Sequence, residues 1–277
     1  MSFSTGVANS FVTFQPLTYV TDNGCVNQPL FCYPIRFGSD LAFQINVPMP
    51  SVVPLSPANY MIFKTISNGV ETVVDDVNVF GAVTSDGSYG LFCDFSQSNL
   101  TNKFNDGECF TLSVTTDWQE ERPVVYLSNE CFTKIVDVCF TAKLLYSNNE
   151  DAFGFMYPTG WRNKIRLPLY FKNPVINTEQ EVYVRSDGTR QKLFARLSRQ
   201  YQVITDVMNE KAHENLVVAL NHDEVLFEDV KPNDTIEVTF ENEYSNQFPS
   251  MMLPISEWPA EFIVYETPFD ELNSNCR

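Results

Sequence analysis

The sequence predicts a mainly β protein: two antiparallel β-sandwich-like domains, the second with one packed α-helix. Three observations carry this. Apolar and polar residues alternate at period two, as in Phe110, Leu112 and Val114 against Thr111, Ser113 and Thr115. Aromatics, which suit pleated half-buried surfaces, are abundant, with 23 Phe and 12 Tyr. Only 11 glycines occur, and two stand in matching turns, Ser85-Asp86-Gly87 and Ser186-Asp187-Gly188, between strand-like flanks.

The elements follow in order. Pro48-Met49-Pro50 and Pro54 to Pro57 are Pro-rich connections. Strand-like runs come at Tyr60–Ile66, Glu71–Val74, Val77–Val83, Leu91–Phe95, Cys109–Thr116, Val124–Leu127 and Cys131–Leu145. These short strands with frequent turns predict an immunoglobulin-like or similar sandwich over residues 1–147. From Phe132 to Leu144 the even positions are mostly apolar, which predicts one long half-buried strand or two joined by a bulge. Gly107-Glu108-Cys109-Phe110-Thr111 echoes Asn129-Glu130-Cys131-Phe132-Thr133, which reads as two neighbouring strands in similar environments.

Ser147-Asn148-Asn149-Glu150-Asp151 has no apolar anchor and is the predicted boundary before a second, β-rich domain over 148–277. That domain starts with a strand around Lys164–Phe171 and the hairpin at Ser186-Asp187-Gly188. Pro232-Asn233-Asp234 reads as a third turn, and Glu261–Glu266 as the last strand. A helix is expected over Asp206–Leu220, with Thr205 or Asp206 accepting from its free amides. Met208, Ala212, Leu216, Ala219 and Leu220 form its apolar stripe, and Asn221 suits a left-handed residue past its end.

The net charge is −17 and the pI about 4.4, so the overall field does not favour nucleic acid or anionic membrane. There is no apolar run long enough to span a bilayer. The first basic residue is Arg36, so a secretory leader is not expected. The seven cysteines are odd in number, contain no CxxC pair and often sit in apolar runs, as in Leu91-Phe92-Cys93. Buried free thiols in a reducing cytosol are therefore expected, in preference to a disulfide framework or a zinc site.

Little points to chemistry, and neither a cofactor nor a metal is expected. The only His–acid groupings are His213-Glu214 and Asn221-His222-Asp223-Glu224. His213 falls mid-helix and His222 past its end, where a cation would meet the helix dipole, so a shared metal is not expected. No GxSxG elbow, phosphate-cradling loop or HExxH occurs. Acid pairs such as Asp75-Asp76 and Glu120-Glu121 are expected in so acidic a chain, and a carboxylate hydrolase is the weakest functional alternative. Trp118, Trp161 and Trp258 could cap the core or stack on sugars. Trp161, beside the turn Pro158-Thr159-Gly160, is the best stacking candidate for a glycan- or host-surface-binding module.

Charge order is the most informative feature. Residues 162–211 hold ten basic and five acidic side chains, a balance of +5, and residues 212–277 hold two and fourteen, a balance of −12. Arg190, Lys192 and Arg196 share one face of a predicted strand, with Arg199 following, while Glu237 and Glu241 share the outer face of another, with Glu243 beyond. One reading pairs the two strands within a sheet, each contact contributing roughly 0.2–1 kcal/mol. The other puts them on opposite sides, so that a basic face meets the acidic face of the next subunit and head-to-tail contacts close a ring. Phosphate binding by the basic strand ranks below both.

The segments 166–174 (Arg166-Leu167-Pro168-Leu169-Tyr170-Phe171-Lys172-Asn173-Pro174), 182–191, 213–223 and 126–132 resemble virion proteins of tailed phages infecting Bacteroidota, including the crAss-like group. The resemblance covers mainly residues 107–133 and 164–224. It implies a non-enzymatic β-sandwich building block of a tail, neck or baseplate, a ring or adaptor component touching copies of itself and neighbouring virion proteins. The implied location is the virion, assembled in the host cytoplasm, with no specific nucleic-acid binding and no membrane insertion.

Overall fold

A computed structural model describes residues 14–16, 32–36, 40–47, 57, 61–83, 89–117, 124–135, 139–149, 161–231, 234–246 and 257–266. In chain order the first strands are β1 (Phe14–Pro16), β2 (Cys32–Ile35), β3 (Ala42–Val47), β4 (Met61–Ser67) and β5 (Val70–Val74). Next come β6 (Asn78–Val83), β7 (Tyr89–Asp94), β8 (Cys109–Thr116), β9 (Val124–Lys134) and β10 (Ala142–Ser147). Then follow β11 (Asn163–Leu167), β12 (Leu169–Phe171), β13 (Val175–Val184), β14 (Arg190–Thr205) and β15 (Met208–Asn209). The helix α1 (Glu210–Leu220) precedes β16 (Glu224–Lys231), β17 (Asp234–Asn246), β18 (Glu257–Trp258) and β19 (Ala260–Glu266).

The chain is mainly β, as its alternation predicts. A six-stranded sheet runs β1-β9-β8-β4-β5, with β2 lying parallel beside β9. An eleven-stranded sheet runs β12-β14-β19-β17-β16-β10-β11-β3-β7-β6, with β13 paired to β14. Alternate residues of both sheets point into one hydrophobic cluster: Phe63, Leu112 and Val114 from the smaller, Phe43 and Leu91 from the larger. Phe95, just past β7, holds them together, its ring 5.2 Å from Phe43 and 5.4 Å from Phe63. The boundary expected between 147 and 148 falls inside the larger sheet, because β10 and β11 are hydrogen-bonded neighbours and β11 meets β3. Five polar residues mark a loop equally well between strands of one sheet and between domains.

The echoed segments do form neighbouring strands. Cys109 sits opposite Thr133, Phe110 opposite Phe132 and Thr111 opposite Cys131, so the motif pairs with itself in reverse. The run 132–144 is neither one strand nor two joined by a bulge. β9 ends at Lys134 in the smaller sheet and β10 starts at Ala142 in the larger, with Phe140 at φ 65° between them. Alternation reports burial on one face and carries no label for the sheet that buries it.

The helix begins four residues later than expected. Met208 and Asn209 pair instead with Glu257 and Trp258, and Asn209 Oδ1 caps the helix by accepting from Ala212 N at 2.8 Å. Ala212, Leu216, Ala219 and Leu220 are buried as the stripe requires. Asn221 ends it at φ −89°, not in the left-handed region.

The expectation of free thiols fails at one pair. Cys32 and Cys131 form a disulfide with Cα atoms 4.8 Å apart. They lie 99 residues apart in sequence and meet through the parallel β2–β9 register, so local cysteine spacing could not show it. Cys93 is a buried free thiol, while Cys109 and Cys139 are exposed. Cys25 and Cys276 lie outside the described residues.

Candidate functional site

The most distinctive surface is a β-arm built from β13 and β14. Its turn folds as its residues dictate. Gly188 takes φ 83°, Asp187 Oδ1 accepts from Thr189 N at 2.9 Å and from Thr189 Oγ1 at 2.6 Å, and Arg185 N donates to Thr189 O at 2.8 Å. The Thr189 hydroxyl, then its amide, holds the Asp187 carboxyl below its usual range. From there the strands pair antiparallel from Val184↔Arg190 to Val175↔Gln200, with one register shift at Glu181/Val182. At strand rise this ribbon is roughly 30 Å long.

Only the root of the arm is seated in the sheet. β14 pairs with β19 over Gln200–Ile204 and with β12 over Val203–Thr205. Tyr201 and Val203 are buried there, and Tyr201 Oη donates to Glu266 Oε2 at 3.1 Å. Beyond Gln200, among the described residues, no strand pairs with the second edge of β14 or the outer edge of β13. Val175, Ile176, Val182, Tyr183 and Val184 are exposed, Ile176 at 60 %. A surface this apolar on a ribbon with two open backbone edges is the configuration that strand pairing or docking covers.

The structure distributes the charged candidates as follows. Arg190 is exposed at the arm's tip, opposite Val184, while Lys192 and Arg196 stand in register with Val182 and Glu179. Arg199, at the root, is satisfied within the chain: its Nη1 lies 3.3 Å from Glu266 Oε1 on β19. Glu237 is exposed on β17 between the buried Ile236 and Val238, which confirms the alternation. Glu241 and Glu243 follow where the β17–β19 register shifts between Phe240 and Tyr244. The basic and acidic strands do not pair with each other. The basic and acidic strands belong to one sheet, but β19 lies between them, and the section carrying Arg190, Lys192 and Arg196 projects past that sheet.

Trp161 is not an open platform. It is buried at 8 % exposure, edge-on to Phe80 and Phe92 with centroids 5.3 and 5.2 Å away, and its Nε1 donates to Asn163 Oδ1 at 2.9 Å. Phe80 and Phe92 come from the edge hairpin β6–β7, 69 or more residues upstream, so a local turn signal could not reveal the pocket they make. Trp258 is buried too, stacked on His213 with centroids 5.2 Å apart. Trp118 lies outside the described residues.

The histidines are structural. His213 Nε2 donates to Trp258 O at 2.8 Å, which leaves Nδ1 to accept from the Tyr244 hydroxyl. His222 Nδ1 donates to Val218 O at 2.7 Å. Burial pulls both imidazoles below the ordinary histidine value. His222 is thus a neutral group at the helix end, not the cation expected from its position. Among the described residues, the one grouping with metal-ligand proximity is Cys32, Cys109 and Cys131. No helix among the described residues is long and apolar enough to cross a membrane.

No protein-family model, curated protein or solved structure matches the chain.

Proposed function

We propose that this protein is a non-enzymatic virion structural component, a ring or adaptor subunit of a phage tail or neck, that assembles head to tail through the β13–β14 arm. The carrying observation is that arm: an apolar, basic two-stranded ribbon beyond the last sheet contact at Gln200. A two-stranded hairpin is marginal in water by itself, and its open edges invite another chain. The rest of the molecule supplies the complement, since residues 212–277 balance to −12 and Glu237 stands exposed. An arm on one side and its acceptor on another make a heterologous contact, which closes into a ring when the rotation allows. The likeness of residues 107–133 and 164–224 to phage virion proteins points the same way. The glycan-binding alternative loses its motive with the burial of Trp161.

The test is native mass measurement of the full chain across concentration and in assembled particles. Charge reversal at Arg190, Lys192 and Arg196 is expected to weaken assembly, more at low salt than at high. A chain that stays monomeric at every concentration and is missing from particles overturns the proposal.

A further inference from the structure

We propose that Cys32, Cys109 and Cys131 form a thiol–disulfide exchange site, open to solvent and to other thiols at Cys109. Three neighbouring strands of the smaller sheet, β2, β9 and β8, each contribute one sulfur. Cys32 stands opposite Cys131 in the parallel β2–β9 register, and Cys131 lies one diagonal step from Cys109 across the antiparallel β8–β9 pairing. All three sulfurs lie within 4.8 Å of one another. Cys32 and Cys131 are joined, and the Cys109 sulfur rests 3.1 Å from that of Cys32. A disulfide bond is about 2.05 Å long, so a side-chain movement of about 1 Å brings Cys109 to bonding distance.

The gradient of exposure gives the sulfurs different roles. Cys109 is exposed, Cys32 half-buried and Cys131 buried. Cys109 loses its proton to solvent and attacks the Cys32 sulfur as thiolate. The Cys32–Cys131 bond breaks, its electron pair leaves on the Cys131 sulfur, and that sulfur takes up a proton. One disulfide and one thiol stand on each side of the step, so no oxidant or reductant is consumed. The tether on β2 thereby passes from the adjacent strand β9 to β8 beyond it. The backbone around the acceptor is held: Ser67 Oγ donates to Cys109 O at 3.0 Å, and Tyr33, next to Cys32, is buried with its hydroxyl accepting from Asn215 Nδ2 at 3.1 Å. Cys32 and Cys109 stand on strands that flank β9, so the new bond also draws β2 and β8 toward each other at this point. A small thiol, or an exposed cysteine of another protein, can enter the same cycle at Cys109.

Cys93 lies outside the cycle, since burial, with help from Asp94, pushes its thiol far up. The experiment uses the full chain with Cys25→Ser, Cys139→Ser and Cys276→Ser, incubated without reductant at pH 8. Free thiols are then alkylated, the sample is acid-quenched and digested at low pH, and linkages are mapped by mass spectrometry. The expected result is two species: Cys32–Cys131 with alkylated Cys109, and Cys32–Cys109 with alkylated Cys131. Cys131→Ser is expected to give Cys32–Cys109, and Cys109→Ser only Cys32–Cys131. Finding Cys32–Cys131 alone, with Cys32 and Cys109 both alkylated in Cys131→Ser, overturns the proposal. So does recovery of three unbonded thiols with one equivalent of zinc by elemental analysis, which would make the cluster a metal site.

Discussion

Arg166 Nε donates to Asp40 Oδ2 at 2.7 Å, and both side chains are only 2 % exposed. This ion pair stitches β11 to a residue 126 positions earlier in the chain. A second Asp40 oxygen accepts from Nη2 at 3.3 Å, Asp229 on β16 also accepts from Nη2, and Thr141 Oγ1 accepts from Nη1 at 3.2 Å. Burial pulls the guanidinium's pKa down, but Asp40 and then Asp229 outweigh it, so the net direction is up. A buried charge left without its partner costs about 3–5 kcal/mol. Asp40→Ala takes away the fully buried partner of Arg166 but leaves Asp229 beside Nη2, so it is expected to destabilise by up to about that much in a urea titration, whereas Arg166→Met with Asp40→Leu loses less than the single change. A double variant as unstable as the sum of the singles would show that the charges themselves, not their pairing, hold this seam.

Gly81 on the edge strand β6 is the second structural prediction. A Cβ built there would fall 2.1 Å from the hydroxyl of Tyr89, whose ring is buried. The glycine makes room for an aromatic ring laid across the strand. Gly81→Ala is expected to force that ring out and to destabilise by about 1–3 kcal/mol. Pairing it with Tyr89→Ala, which removes the ring whose Oη, Cζ and Cε1 would lie 2.1, 2.3 and 2.8 Å from that Cβ, is expected to cost less than the two single changes summed. Full additivity would place the strain in the backbone instead.

These two sites also mark where the sequence stops being readable. Alternation shows which strands are half-buried, and the Cys-Phe-Thr echo correctly made β8 and β9 neighbours. Asn68-Gly69, a hairpin dipeptide with φ 50° and 76°, joins β4 to β5 and is legible in the sequence. The joins between strands 99 or 126 positions apart were not legible, because a period of two specifies a face and never a partner. The arm was half legible. Ser186-Asp187-Gly188 and the basic strand announce a hairpin, but only the register with β19 shows that it outruns its sheet.

The neutral histidines give the fold a pH dependence. His213 and His222 are held below their ordinary value of 6.5 by burial, so the unfolded chain binds more protons than the folded one just below that pH. Their contribution to stability is complete above about 6.5 and declines as pH falls toward the depressed folded values. The urea midpoint is expected to drop between pH 7.5 and pH 5. His213→Gln with His222→Gln is expected to drop less, since the carboxylates common to both proteins titrate alike. Parallel declines in the two proteins would exclude the histidines as the cause.

The arm can be separated from the fold that carries it. Residues 182–190 are exposed and lie outside the hydrophobic cluster, and the last pairing of β14 with β19 is at Gln200. Thr178 stands opposite Leu197, so an Asn-Gly turn joining those two residues preserves the register of the root. Because the removed backbone pairs only with itself among the described residues, the shortened chain is expected to keep its melting temperature within about 3 °C, equivalent to about 1 kcal/mol for a chain of this size. Self-association is expected to disappear, since the exposed Val182, Tyr183 and Val184 and the basic residues at 190, 192 and 196 go with the deleted segment. A shortened protein that melts much lower would make the ribbon part of the fold, and one that still assembles would move the contact to another surface.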